Sequence, residues 1–420
     1  MGIAARLAKK PEEKANFVKF VVLAAIILFM VMGGRQTTGL FVLPIIAKTK
    51  MSIADVSLAL AISQLVWGIF QPLWGAVADR GKTFPVLLAG LLCLAAGQIG
   101  TIFAHTPFFL ILFFGLLSPI GAAAASLPIL IGSASSRLTS EKRSVASGII
   151  NIGGAAGQFT FAPLLQHIIN LRGYAASLLL LAGTAFAAII PSRLLYGKKE
   201  AAGSANQGPV QAQGSPGALS VREQLKIALR NPSYLMLHFS FFVCGFHVTF
   251  LSTHLPGEIN LYGYAATVTA ICISIIGLCN IMGSIGSGII GKYIQMKYIL
   301  VFLYASRSLC IALSLVTPKT PLSFYIYAAI FGITWSATVP PTSGLVGKIF
   351  KGRYLATLFG LVVLSHQVGA FFGAWLGGII LQKTGTFFGM WCIAMVLAAF
   401  ASLISLPIKE SSLSVKLEED

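Results

Sequence analysis

Arg35 is the residue of this chain whose placement most demands a chemical reason. It lies in Gly-Gly-Arg-Gln-Thr-Thr-Gly-Leu-Phe-Val-Leu-Pro, residues 33–44, inside an apolar run from about Phe17 to about Ala47. A run of that length crosses a bilayer as a tilted helix. At 1.5 Å per residue Arg35 is about 27 Å along it, past the midplane. A charge at such depth costs about 2.5–3.5 kcal/mol on insertion scales, so it faces protein, water or a ligand. Its guanidinium is a planar fork of donors that matches a carboxylate. The bland alternative is an arginine satisfied by helix carbonyls or snorkelling outward. Gln36 is the next binding candidate, although adjacent helical residues point about 100° apart, so Gln36 and Thr37 do not both share the arginine's face.

Other polar side chains stand at membrane depth. His366 and Gln367 fall about a dozen residues into the eleventh apolar run. A histidine there is able to carry a coupled proton, since its pKa lies near neutral pH; a neutral histidine bonded to a carbonyl or hydroxyl suits the position equally. His247 poses the same choice in the seventh run, and His254, nearer the end of that run, reads as structural. Asn151 and Gln158 are two turns apart on the fifth run (158 − 151 = 7) and share a face as hydrogen-bonders for a cavity. Trp335 in the tenth run flanks such a cavity or packs. Cys93, Cys244, Cys272, Cys279, Cys310 and Cys392 show neither metal-ligand spacing nor an extracellular framework and read as small buried hydrophobes. No nucleotide loop, metal cluster or nucleophile–base arrangement is present in the sequence, which argues against an enzyme and against any cofactor or metal.

Helices must position these residues. Of 420 residues 56% are hydrophobic and only 10% charged, the balance of a polytopic α-helical membrane protein. A β-barrel would show short alternating segments instead. Twelve candidate spans begin near Phe17, Ile53, Phe84, Phe108, Ser144, Tyr174, Pro232, Tyr264, Tyr298, Leu322, Tyr354 and Phe387. The net charge of +18 does not point to nucleic acid, because the excess sits in short loops on one side, such as Arg80 and Lys82, Arg137 with Lys142 and Arg143, and Lys348 with Lys351 and Arg353. This positive-inside pattern puts both termini in the cytoplasm, at an inner or plasma membrane. The opposite loops are expected to hold Lys48, Lys50, Arg172, Glu258, Lys319 and Lys383, leaving acidic residues nearly absent from the spans. Lys9, Lys10 and Lys14 precede a full-length helix with no cleavage site, so the first span is retained.

A segment rich in Ala, Gly, Gln and Ser, 197–231, reads as a flexible cytoplasmic linker with a short surface helix from Arg222 to Arg230. It separates two six-helix bundles, 1–196 and 232–420. The bundles are internal repeats in one register. Arg35 pairs with His247 (247 − 35 = 212), Pro128 and Gly132 with Pro340 and Gly344, and Gly148 and Gly157 with Gly360 and Gly369, all at the same offset.

The loop after the second span reads Gly75-Ala-Val-Ala-Asp79-Arg80-Gly81-Lys82. This G-x-x-x-D-R-x-G pattern, with twelve spans in two repeats, resembles the major facilitator superfamily over essentially the whole chain. The resemblance implies the major facilitator fold, with Asp79 set against a helix N-terminus and a basic residue to lock the cytoplasmic gate. A helix N-terminus offers free N–H groups and positive partial charge to such a carboxylate. Candidate partners are the helix start near Tyr354 and Arg137 or Arg143; Gly75 and Arg80 complete the gating set. The second-half copy, Gly288-Ile-Ile-Gly-Lys292, has lysine at the acidic position, so an asymmetric gate is expected. The same resemblance puts the third, sixth, ninth and twelfth spans outside the transport path, which makes Arg307 structural. Two marks of proton-antiporting drug exporters are missing: Leu117 stands where the fourth span often has arginine, and residues 148–158 lack the Gly-Pro pattern.

Gln71-Pro-Leu-Trp-Gly75, Thr253-His254-Leu255-Pro256, Val339-Pro-Pro-Thr-Ser-Gly344 and Ser365-His366-Gln367-Val-Gly369 resemble the bacterial monocarboxylate-transporter-like branch. Its members carry small organic anions, often with a proton. That branch's charged residues in the eighth span have no counterpart between 265 and 290. The expectation is a monomeric secondary transporter of a small organic anion working by alternating access, by proton symport through His366 or His247, with a solute that arrives protonated, or by uniport. The alternative is an exporter of a drug-like or siderophore-like amphiphile. A non-transporting receptor on the same scaffold would show no solute flux.

Overall fold

The computed structural model describes residues 3–78, 80–132, 140–197, 221–350 and 355–410. Among them every regular element is helical. Twelve long helices follow one another: α1 (Ile3–Gln36), α2 (Ile53–Ala78), α3 (Thr83–Ile102), α4 (Pro107–Leu130), α5 (Ser140–Arg172), α6 (Tyr174–Tyr196), α7 (Pro232–Leu261), α8 (Ala266–Ile290), α9 (Met296–Val316), α10 (Pro321–Ile349), α11 (Leu355–Thr384) and α12 (Phe388–Ser405). Eleven are long and apolar enough to cross a membrane. The other, α5, is 33 residues long, about 50 Å at 1.5 Å per residue. A short helix, Val221–Arg230, stands where the basic end of the linker predicts one.

Two sequence expectations are corrected. The run from Phe17 to Ala47 is not one helix. Its first helix stops at Gln36, because Thr37 Oγ1 donates back to the Gly33 and Gly34 carbonyls at 3.0 and 2.9 Å. A 3₁₀ turn over Thr38–Phe41 and a helix over Val42–Thr49 follow. Glu258, expected in a loop, lies inside α7 and is only 5% exposed. Pro256 does not end that helix. It only lacks the N–H that would take the Ser252 carbonyl four residues back.

Glycines bring paired helices into backbone contact. Gly153 and Gly157 of α5 lie on the Ala25 and Phe29 carbonyls of α1; Gly369 and Gly373 of α11 lie on the Phe242 and Phe246 carbonyls of α7. A side chain at any of the four would collide with those carbonyls, which is the physical content of the small-residue repeat.

The first six helices meet the last six along α2–α11 and α5–α8. At the face opposite the chain termini the contact is closed. Gly39 sits on the Ser252 carbonyl that Pro256 leaves free. Ser274 Oγ of α8 donates at 3.1 Å to the Phe159 carbonyl, which Pro163 of α5 likewise leaves free. The Ala54 N–H donates to Gln382 Oε1 at 3.3 Å, and Gly378 lies on the Ser57 side chain. At the termini face the contact opens: Gly75, Gly148, Gly288 and Gly360 have no neighbour within 4 Å of where a Cβ would stand.

Candidate functional site

Arg35 is the second-last residue of α1, and its side chain leans back toward the start of the helix, as helical side chains do. It reaches the middle of α2. Nη2 donates to Gln64 Oε1 at 2.5 Å, and the guanidinium carbon lies 4.2 Å from the centre of the Trp67 ring. The residue is half-buried, and no carboxylate among the described residues pairs with it. A cation–π contact is worth about 0.5–2 kcal/mol. One neutral acceptor and one ring leave most of the guanidinium's donors unfilled. Behind it lies a cavity of about 30 Å³, lined among others by Ser63, Gln98, Ser118 and Thr184, in which Gln98 Oε1 and Ser118 Oγ have no partner. That space suits one or two waters and not an organic anion.

On the other side of α2, α11 packs against it. Gln367 is buried, its side chain seated on Gly68, the neighbour of Trp67, and its Oε1 has no partner. His366 is half-buried, with Nδ1 3.4 Å from Gln367 Nε2 and its ring 5.0 Å from that of Phe241. Arg35 and Gln367 both reach α2, at Gln64 and at Gly68 four residues further on, whereas His366 faces α7, against Phe241 and Gly245. Gln36 Oε1 is buried without a partner at the end of α1. Gln158 is buried at the α5–α8 contact, against Gly277, with Oε1 unpartnered. Asn151, on the same face of α5, is exposed.

The remaining candidates lie elsewhere. His247 is 1% exposed, and its ring nitrogens stand 2.8 Å from the Val243 and Ala394 carbonyls, so α7 and α12 enclose it away from Arg35. Trp335 is buried in an apolar cluster of the second half with Phe246, Phe331 and Trp391. Of the gating set, Gly75 faces open space and Arg80 is exposed. Asp79, Arg137 and Tyr354 lie outside the described residues, as does the side chain of Arg143.

Arg307 explains itself. It is 1% exposed and sits opposite the break in α10, where Pro340 and Pro341 interrupt the backbone ladder after Thr334. Its Nη2 donates to the Thr334 carbonyl and, at 3.1 Å, to that of Trp335, while Nε reaches Thr334 Oγ1 at 3.2 Å. A guanidinium there caps the negative end of a half-helix. From α8, Asn280 Oδ1 accepts the Ser336 N–H at 3.1 Å.

Sequence reasoning passed over Gln64 and Trp67, and treated Gln71 only as part of a motif. Gln64 and Gln71 are two turns apart on one face of α2 (71 − 64 = 7), a usable signal for a polar stripe. His238 was also missed: its Nδ1 is 2.6 Å from Ser365 Oγ, joining α7 to α11 beside His366.

A twelve-helix bundle that is closed at one face and open at the other, with a half-satisfied cation at mid-depth, is the architecture of a membrane transporter. The chain belongs to the Major Facilitator Superfamily, whose family model matches residues 24–342. It is 26% identical over 383 residues to monocarboxylate transporter 13 of Bos taurus, covering 90% of this chain and 86% of that protein. It is 23% identical over 376 residues to the oxalate:formate antiporter of Oxalobacter formigenes, covering 86% and 84%. The fold is that of a D-xylose-proton symporter, with a TM-score of 0.73 over 94% of this chain and 99% of that one at 12% identity.

Proposed function

We propose that the protein is a secondary transporter of a small organic anion of monocarboxylate type, working by alternating access between bundles 1–196 and 232–420. The observation that carries this reading is Arg35: a half-buried cation held by an indole and one amide, with no carboxylate among the described residues to neutralise it. A substrate carboxylate supplies the missing acceptor in a bidentate contact, worth about 1.5–3 kcal/mol. In this reading Gln367 and Gln36 add polar groups and His366, on the α7 side of α11, carries a coupled proton. With both termini in the cytoplasm of an inner or plasma membrane, the open face is cytoplasmic and the structure faces inward. The names of the monocarboxylate and oxalate:formate relatives favour an anion.

The test is flux. Purified protein in proteoliposomes is expected to take up a small monocarboxylate, faster with an inward proton gradient if His366 is coupled, and Arg35→Ala is expected to abolish uptake. Uptake unchanged in Arg35→Ala contradicts the reading. A bulky amphiphile transported equally by both proteins would favour the exporter.

A further inference from the structure

A cavity of about 230 Å³ lies in the second half of the chain between α7, α9, α10 and α12, on the side opposite the termini and outside the Arg35 cleft. Its mouth is formed by Leu313, Ile326 and Ile330, all exposed on the flank of the bundle. It therefore opens sideways, toward lipid. Its interior is not apolar throughout. Glu258 lines it, three residues before the end of α7 and 5% exposed. Lys319, in the loop between α9 and α10, lines it from the same end, its ammonium donating to the Ser314 carbonyl. One turn deeper, the Tyr327 hydroxyl is buried without a partner.

Glu258 and Lys319 form no ion pair with each other or with any other described residue. Burial pulls the Lys319 ammonium below its ordinary value and the charge of Glu258 pulls it back, so the two charges feel each other without touching. A buried carboxylate without a donor cation is costly. The cavity thus has an end with ionisable groups of both signs where α7 stops and the α9–α10 loop begins, an unpartnered hydroxyl further in and an apolar exit on the flank of the bundle. Water-soluble ions do not enter through such a mouth. A molecule with a zwitterionic head and an apolar tail matches all three features. The Trp391 indole N–H lies beside the Glu258 carboxylate, which has lone pairs for further N–H donors; a primary ammonium has them and a trimethylammonium lacks them.

We propose that this lateral pocket binds a zwitterionic amphiphile with a primary ammonium head, the ammonium on Glu258, the anionic group on Lys319 and the tail leaving past Leu313, Ile326 and Ile330. Such a head belongs to a two-chain membrane phospholipid or to a free single-chain amphiphile.

The test uses the full-length protein in detergent, with retained lipid read by native mass spectrometry. Phosphatidylethanolamine and phosphatidylcholine of the same chains compete in one arm, and lysophosphatidylethanolamine is titrated in another. The wild type is expected to retain the ethanolamine lipid at least about tenfold over the choline lipid. Glu258→Gln is expected to bring the ratio near one. Ile330→Trp, which fills the apolar exit and leaves the charges alone, is expected to lower retention of both lipids. It also keeps the test open if Glu258→Gln does not fold. Binding of the single-chain form with exclusion of the two-chain form assigns the pocket to free amphiphiles; binding of both assigns it to membrane lipid. Retention of both two-chain lipids in equal amounts by the wild type overturns the proposal, as does failure of both the two-chain and the single-chain ethanolamine lipid to bind. So does a preference that survives both substitutions.

Discussion

Arg35 and Arg307 both carry their charge into the interior of the helix bundle, and their surroundings differ in kind. Arg307 is wholly enclosed; its Nη2 donates to the two carbonyls at the broken end of a half-helix and its Nε to the Thr334 hydroxyl, leaving only Nη1 without a partner. Arg35 is half-buried, and its contacts are one glutamine oxygen and one indole face. Either charge would be costly in lipid. At Arg307 the protein's own backbone offsets that cost. At Arg35 it is offset only in part, by one glutamine oxygen and one ring, which is the opening the proposed anion would fill. A cation inside a membrane protein is thus assigned by how many of its donors are already filled, and not by its depth.

The comparison is broken most strongly by removing Arg307. Arg307→Met leaves the Thr334 and Trp335 carbonyls bare, at about 1–3 kcal/mol each. The expected outcome is a markedly lower midpoint in detergent unfolding, with whatever protein still folds binding anion normally. Arg307→Lys rescues only part, because an ammonium does not reproduce the fork. The converse is Arg35→Ala: little change in unfolding of the empty protein, but anion affinity weakened roughly 10–100-fold, as one charge-assisted bond implies.

Gly39→Val sharpens the same division from the side of motion. The new side chain meets the Ser252 carbonyl, so the face opposite the termini cannot close. A cysteine placed at Ser57, in a background without reactive thiols, is expected to label faster with an impermeant reagent from that face. Ser274→Ala removes one neutral bond to the Phe159 carbonyl and is expected to open the same face only slightly, by about 0.5–1.5 kcal/mol. Smallest of all, Trp67→Phe is expected to weaken anion binding a few-fold in titration calorimetry, since phenylalanine keeps a ring under Arg35 but a weaker cation–π partner.

The fold was legible because its signals are local. Apolar runs mark the helices from Phe17 to Ser405, and one offset of 212 marks the repeat, which the structure expresses as matched backbone contacts at Gly157 and Gly369. Arg35 stood out for the same reason: a charge in an apolar run needs no partner to be noticed. What the sequence hid depends on contacts between distant segments. Arg307 caps a helix break 27 residues further on (334 − 307 = 27), and nothing near Arg307 announces it. Glu258 was counted among the few charges of the opposite loops, yet α7 runs on past Pro256, which only frees the Ser252 carbonyl that Gly39 covers. His247 drew attention through its repeat relation to Arg35. The two sites diverge because α1 stops just past its arginine while α7 runs on and buries its histidine against α12.

The most direct test of the division between the two arginines is a thermal-shift titration of purified wild type, Arg35→Ala and Arg307→Lys with a panel of small carboxylates. The expected result is a carboxylate that stabilises the wild type and Arg307→Lys by similar increments, each above its own baseline, and leaves Arg35→Ala unmoved. A carboxylate that stabilises Arg35→Ala as much as the wild type would show that Arg35 is no ligand for the anion, and the contrast between the two arginines would fall.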